Sequence, residues 1–208
     1  MKLFYAPGAC SLGIHVLLEE SGAPYEAEWL NIREGAQFKP EFTSINAKSK
    51  VPTLQRDDGS VITEFPAIAY WIAAANPAAK LMPATPEAQA RALEVTDYAV
   101  ATIHMQAFSR MFRPGNYAPS EADHDAVKEK GREMFLKGLA WLDKALEGKD
   151  YVAGEFSFGD AAPFYVVFWA KERLNLPLPP NVAAFYKRML ARPAVAKVLA
   201  DEGLKAAA

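Results

Sequence analysis

The chain has 208 residues, of which 51% are hydrophobic and 23% charged, a balance that allows a buried globular core and argues against a disordered or fibrous protein. Its net charge of −2, without a long basic run, argues against nucleic acid as a partner. A single cysteine, Cys10, leaves no internal disulfide and suits a reducing compartment.

The N-terminal Met1-Lys-Leu-Phe-Tyr5 leads straight into a strand pattern, with no charged n-region and apolar h-region, so no signal peptide is expected. The longest apolar runs, 65–75 and 161–170, fall short of the roughly 20 residues that span a bilayer. A cytoplasmic protein with no membrane partner is the expectation.

In chain order, Leu3–Tyr5 reads as a strand and Ser11–Ser21 as a helix, with Leu12, Val16 and Leu17 on one face and Gly22 as its stop. Tyr25, Ala27 and Trp29 alternate with polar neighbours, the pattern of a second strand. A polar region with Gly35 and Pro40 follows. Val51–Gln55 and Ser60–Thr63 flank Asp57-Asp58-Gly59, a hairpin signal because glycine tolerates the positive φ of such turns. A third helix is expected over 66–75. This order describes a small mixed sheet covered by helices.

From Asn76 to Pro86 the chain is proline-rich and aperiodic, a linker composition. Beyond it every periodic stretch is helical: 87–110, 120–146, 157–173, 181–190 and 193–200. The expected organisation is an α/β domain over 1–76, a linker over 77–86 and an all-helical domain over 87–208.

Ser157-Phe-Gly-Asp160 fits the Ser-x-x-acid cap before an apolar run, so it reads as a folding element. Pro163 falls inside the helix that follows, where it should kink it or remove a hydrogen bond. His15 and His124 have no partners at metal-ligand spacing, and no metal is expected.

Cys10 falls where the first strand turns into the first helix, with Ser11 beside it. Unpaired N–H groups at a helix start favour an anion, and a cysteine there can ionise well below its free pKa of about 8.5. The other reading of Cys10 is a small buried apolar residue. His104, Phe108, Met111 and Phe112 stand at spacings 0, +4, +7 and +8, within an arc of about 100° on an α-helix.

With this layout, Phe4-Tyr5-Ala-Pro-Gly-Ala-Cys10-Ser11-Leu12, Asn46 through Val51-Pro52, Thr63-Glu64 and Ile103-His104 leading to Phe112-Arg113-Pro114 resemble the cytosolic glutathione transferases, and within them the bacterial beta class. Ser157-Phe-Gly-Asp160-Ala and the ending Arg188-Met, Arg192-Pro193, Glu202-Gly203-Leu204 extend the resemblance over the whole chain. It implies a thioredoxin-like N-terminal domain, a helical C-terminal domain, a homodimer, and glutathione as co-substrate for conjugation to small hydrophobic electrophiles. Glutathione-dependent peroxide or disulfide reduction through Cys10 is a second implied chemistry.

Carried over residue by residue, the resemblance makes Cys10 the contact to the glutathione sulfur, with Ser11 and Tyr5 as hydroxyl donors and His104 a polar neighbour or general base. Pro52 is the implied cis proline, and Val51 the residue whose backbone pairs with the cysteinyl part of the tripeptide. Glu64 would hold the γ-glutamyl ammonium and Arg33 the glycine end. Phe108, Met111, Phe112 and Trp169 would line the co-substrate pocket.

Two positions depart from the family. Placing Pro66 first in its helix puts Phe65 at the N-cap, a vacant anion site for the γ-glutamyl carboxylate but without the serine hydroxyl relatives often carry. One lost charge-assisted bond of ~1.5–3 kcal/mol predicts weaker glutathione binding, tightened by Phe65→Ser. Met105 stands where relatives often have a lysine, which removes a positive charge. Both departures favour the rival reading, a non-catalytic binding or interaction protein on the same fold.

Overall fold

The structure is a computed structural model and describes residues 1–206; Ala207 and Ala208, at the end of the helical domain expected over 87–208, lie outside the described residues. β1 (Lys2–Tyr5) runs into α1 (Ser11–Ser21), followed by β2 (Glu26–Trp29). Short 3₁₀ turns and α2 (Pro40–Thr43) lead to β3 (Thr53–Gln55) and β4 (Val61–Thr63), and α3 (Phe65–Ala75) closes the α/β part. The sheet order is β2-β1-β3-β4, with β1 and β2 parallel and the other neighbours antiparallel. In register, Leu3 faces Leu54 and Phe4 faces Thr53.

Because side chains alternate along a strand, β1 feeds two cores. Leu3 and Tyr5 join the main core, while Phe4 packs with Leu30 and Phe42 on the opposite face. The hairpin at Asp57-Asp58-Gly59 forms, with Gly59 at φ 83°. β2 differs from the expectation: all four residues are exposed, Trp29 at 61%, since an edge strand without a covering element buries neither face.

The helical part begins with α4 (Pro86–Asp97), capped by the Thr85 hydroxyl, which accepts from Ala88 N–H. Tyr98–Phe108 continues it as a π-helix before α5 (Ser109–Phe112). There Ser109 N–H donates to His104 O, five residues back. α6 (His124–Ala145) approaches this segment closely through Gly138, where a Cβ would stand 2.6 Å from Ile103. α7 (Ala161–Phe168), buried along its whole length, passes through the middle of the molecule. A π-turn (Trp169–Arg173), α8 (Pro180–Leu190) and α9 (Pro193–Asp201) complete the chain.

Ser157 and Asp160 form the reciprocal cap expected of them. Ser157 N–H donates to Asp160 Oδ2 at 2.9 Å and Gly159 N–H to Ser157 Oγ at 3.2 Å. Phe158–Asp160 is a 3₁₀ turn and the α-helix starts only at Ala161. Pro163 is then the third α-helical residue, where an N–H would have no intrahelical partner, so it neither kinks the helix nor removes a bond.

Two links tie the opening loop and α1 to the C-terminal end. Arg192 holds Glu20 through two bonds of 2.6 and 2.9 Å and stacks over Phe156. Buried Glu202 accepts from Gly8 N–H at 2.7 Å and from His15 Nδ1 at 2.8 Å, which makes His15 a structural donor.

Asp160 also accepts from Val152 N–H at 2.9 Å in a fully buried site. Each buried donor left unpaired costs ~1–3 kcal/mol, so Asp160→Ala should lose ~2–5 kcal/mol of stability, read from the guanidinium unfolding midpoint. An unchanged midpoint would contradict that assignment.

Candidate functional site

The opening loop, Ala6–Cys10, connects β1 to α1, and Gly8 is its fixed point. At φ +64° a side chain would be strained, and a Cβ would stand 2.6 Å from Arg173. Gly8 O accepts from Trp169 Nε1 at 2.8 Å and Arg173 Nη2 at 2.6 Å. Cys10, two residues on, is the N-cap of α1, and its Sγ–H donates to Val51 O at 3.4 Å. The Val51–Pro52 peptide bond is cis. The preceding loop is held by buried Asn46, whose Nδ2 donates to Lys50 O at 3.0 Å and to Thr53 Oγ1 at 2.8 Å.

The thiol does not follow the helix-start expectation. Cys10 keeps a little exposed surface, yet burial dominates and pushes its pKa up to about 12, against smaller lowering effects from the Cys10 and Ser11 N–H groups and the Lys50 charge. Desolvation of a thiolate outweighs the field of one helix terminus. In the ligand-free protein Cys10 is therefore a protonated hydrogen-bond donor.

Ser11 and Tyr5 are not placed as donors beside it. Ser11 is fully buried, and its hydroxyl exchanges bonds with Ala6 N–H and O. Tyr5 lies with its ring 5.2 Å from that of His15 and lines a groove of ≈ 520 Å³ with Glu19, Tyr25, Lys197 and Asp201, a groove whose lining does not include Cys10.

His104 does reach the site's surroundings. Burial, then the Arg113 and Lys50 charges, holds its pKa down to about 4, so it is neutral at pH 7. Its Nδ1 lies 3.2 Å from the hydroxyl of fully buried Tyr165. Lys50 thus acts on both Cys10 and His104. Met105 is exposed, and Arg113 and Lys50 are the cations that act on the histidine.

The segment is a π-helix rather than an α-helix, and its aromatic residues still meet one another. Phe108 is buried and stacked on Trp169 at 4.3 Å, while Phe112 is 63% exposed and stacked on Phe108 at 5.6 Å. Met111 is half-buried against the core. His104 meets the Trp169 ring edge-on at 4.7 Å. Phe112, Phe108, Trp169 and His104 form one continuous aromatic array, with Phe112 at its exposed end.

Phe65 is not the N-cap. Glu64 holds that position at φ 70°, ψ 125°, and Phe65 is the first helical residue, with Pro66 second. The Phe65 ring is buried and lies 5.3 Å from that of Tyr165, so Phe65→Ser would remove core packing as well as add a hydroxyl and is not a clean test of affinity. No side chain caps α3, so its first N–H groups have no capping acceptor. Glu64 is exposed, and Lys48 donates to its Oε1 at 2.7 Å. Arg33 is exposed on the turn Ile32–Glu34, and its charge acts on Arg173.

Sequence reasoning missed Tyr165, Lys50, Arg113 and Arg173. Arg113 and Lys50 had a signal, their places in Phe112-Arg113-Pro114 and in Asn46 through Val51-Pro52; Tyr165 and Arg173 depend on contacts distant in sequence. Among the described residues no group of three or more His, Cys, Asp or Glu is placed to hold a metal, and no helix is long and apolar enough to cross a membrane.

Residues 8–75 match the family model for the glutathione S-transferase N-terminal domain, and 99–193 that for its C-terminal domain. The chain is 34% identical to glutathione S-transferase GstA of Escherichia coli O157:H7, over 99% of this chain and 100% of that protein. It is similar to a sphingomonad glutathione S-transferase solved with glutathione, at TM-score 0.83 and 34% identity over 99% and 100% of the two chains. A beta class enzyme of Sphingomonas chungbukensis superposes with TM-score 0.83 and 32% identity, again over 99% and 100%. With both halves matched and full-length identity above 30%, the chain belongs to the glutathione S-transferase family.

Proposed function

We propose that this chain is a glutathione transferase that joins the glutathione thiolate to small hydrophobic electrophiles. The observation that carries the reading is the grouping of a protonated Cys10 thiol and a neutral His104 under one cation, Lys50, beside Val51. Lowering a thiol pKa by about two units needs ~2.7 kcal/mol of preference for the anion. Hydrogen bonds to a charged group contribute ~1.5–3 kcal/mol each, so one or two donors suffice.

In this reading glutathione lies along Val51 and Pro52, its γ-glutamyl carboxylate at the uncapped start of α3 and its ammonium on Glu64, with Arg33 toward the glycine end. The backbone at Glu64 supports the assignment, because a non-glycine residue at φ 70° stores strain of ~1–3 kcal/mol, and such strain gathers at functional sites. Cys10 Sγ–H turns from Val51 O toward the tripeptide's sulfur. The glutathione proton leaves to solvent, the sulfur attacks the electrophilic carbon, an S–C bond forms, and the leaving group departs with its bonding pair. Phe112 and the edge of Phe108 present the apolar co-substrate, which selects loosely among hydrophobic compounds.

A Cys10 held as a thiol is poorly suited to thiol–disulfide exchange, which needs a thiolate, so conjugation leads and reduction is the minor chemistry. Lys50 and Arg113 supply the charge that Met105 does not, which weakens the case for a non-catalytic scaffold. Family membership supports a homodimer as the working unit and the cytoplasm as its place.

The protein should be retained on immobilised glutathione, elute with free glutathione and turn over chlorodinitrobenzene with release of chloride. Retention without turnover on any electrophile or hydroperoxide would favour the scaffold instead. Cys10→Ala should keep binding and lose roughly ten- to hundredfold in kcat/KM, as the loss of one hydrogen bond to a charged sulfur would. Loss of binding in that variant would contradict a donor role.

The raised thiol pKa gives a pH signature. Since Cys10 stays protonated until pH nears about 12, its alkylation by iodoacetamide in the free protein should keep accelerating above pH 9. A plateau near pH 8–9, where an ordinary cysteine has ionised, would show that burial does not control the thiol.

A further inference from the structure

Tyr165 is fully buried in the middle of α7, packed between the Phe65 ring at 5.3 Å and the Trp169 ring at 4.8 Å. Its hydroxyl has a single partner among the described residues, His104 Nδ1 at 3.2 Å. A buried hydroxyl proton left without an acceptor costs ~1–3 kcal/mol, so the proton belongs on the line to Nδ1. A neutral imidazole that accepts at Nδ1 carries its own proton at Nε2. Among the described residues the buried side-chain polar atoms without a hydrogen bond are Gln37 Oε1 and Arg56 Nε, and His104 Nε2 is not among them. With no bonded partner of its own, Nε2 therefore keeps some accessible surface and is free to donate to a ligand.

From this geometry we propose that Tyr165 is a positioning residue for the transferase reaction: its O–H donates to His104 Nδ1, fixes the Nε2–H tautomer, and so turns His104 into a hydrogen-bond donor toward the glutathione sulfur in place of a general base. The proposal rests on the transferase reading of the site. The groups around it fit the role. Burial, then the Arg113 and Lys50 charges, disfavours a second proton on the ring, which keeps the imidazole neutral, and burial keeps the Tyr165 hydroxyl protonated. Trp169, fixed by its bond to Gly8 O, holds the ring edge-on from the other side. A tyrosine on one helix and a histidine 61 residues away thereby act as one donor.

Long-range ¹H–¹⁵N spectra of the full chain labelled at histidine test the tautomer without reference to activity. His104 should appear as a single Nε2–H form, and Tyr165→Phe, which keeps the ring packing, should move it to a mixture. In the same variant kcat/KM for chlorodinitrobenzene should fall ~10-fold, through kcat, with the KM for glutathione within about twofold. In a His104→Gln background Tyr165→Phe should cost less than about twofold, since the hydroxyl acts through the ring. An Nδ1–H form in the wild type, an unmoved tautomer in Tyr165→Phe, or an undiminished loss in the His104→Gln background would each overturn the proposal. If the wild type binds and turns over nothing while His104 is in the Nε2–H form, the transferase reading fails and the tyrosine–histidine geometry stands.

Discussion

The two backbone polar groups of Gly8 hold the sheet to the helical layer. Its N–H goes to Glu202 and its carbonyl to Trp169 and Arg173, in the turn that follows the buried helix α7. Cys10 follows two residues later, so its position is set by groups more than 150 residues away. The same Trp169 stacks on Phe108 and meets His104 edge-on. One tryptophan therefore spaces the thiol loop from the histidine, and the site is a product of the junction between the two layers rather than of either one.

That junction also sets the electrostatics. It removes water from Cys10 and His104 together, and water removal acts on them in opposite directions: the thiol holds its proton and the imidazole refuses a second one. Both are neutral; Lys50 reinforces that neutrality at the imidazole and opposes it at the thiol, where burial prevails. A pair of neutral donors is well matched to a thiolate, because it stabilises the anion when bound without presenting a competing nucleophile. The cation contributes from the surface, where its own hydration is largely kept.

Local chemistry was legible in the sequence wherever neighbours in the chain decide it. The glycine of Asp57-Asp58-Gly59 makes its turn, Ser157 and Asp160 cap each other across three residues, and the order of strands and helices follows from their periodicities. What was not legible depends on tertiary structure. The alternation at Tyr25, Ala27 and Trp29 does mark a strand, β2, but not its exposure at the sheet edge. The stripe from His104 through Phe108 to Phe112 does form, but the α-helical pitch assumed for it is replaced by a wider turn, beside close packing against Gly138. The expected ionisation of Cys10 weighed a helix terminus without the burial that only the assembled fold supplies. Tyr165 reads as one more aromatic in an apolar run, and its role needs a partner 61 positions away.

A crystal structure with glutathione bound tests the account most directly. The account predicts the tripeptide along Val51 and Pro52, its γ-glutamyl end at Glu64 and the start of α3, and its sulfur within hydrogen-bonding distance of both Cys10 Sγ and His104 Nε2. A tripeptide seated elsewhere, or a sulfur that meets neither group, would contradict it.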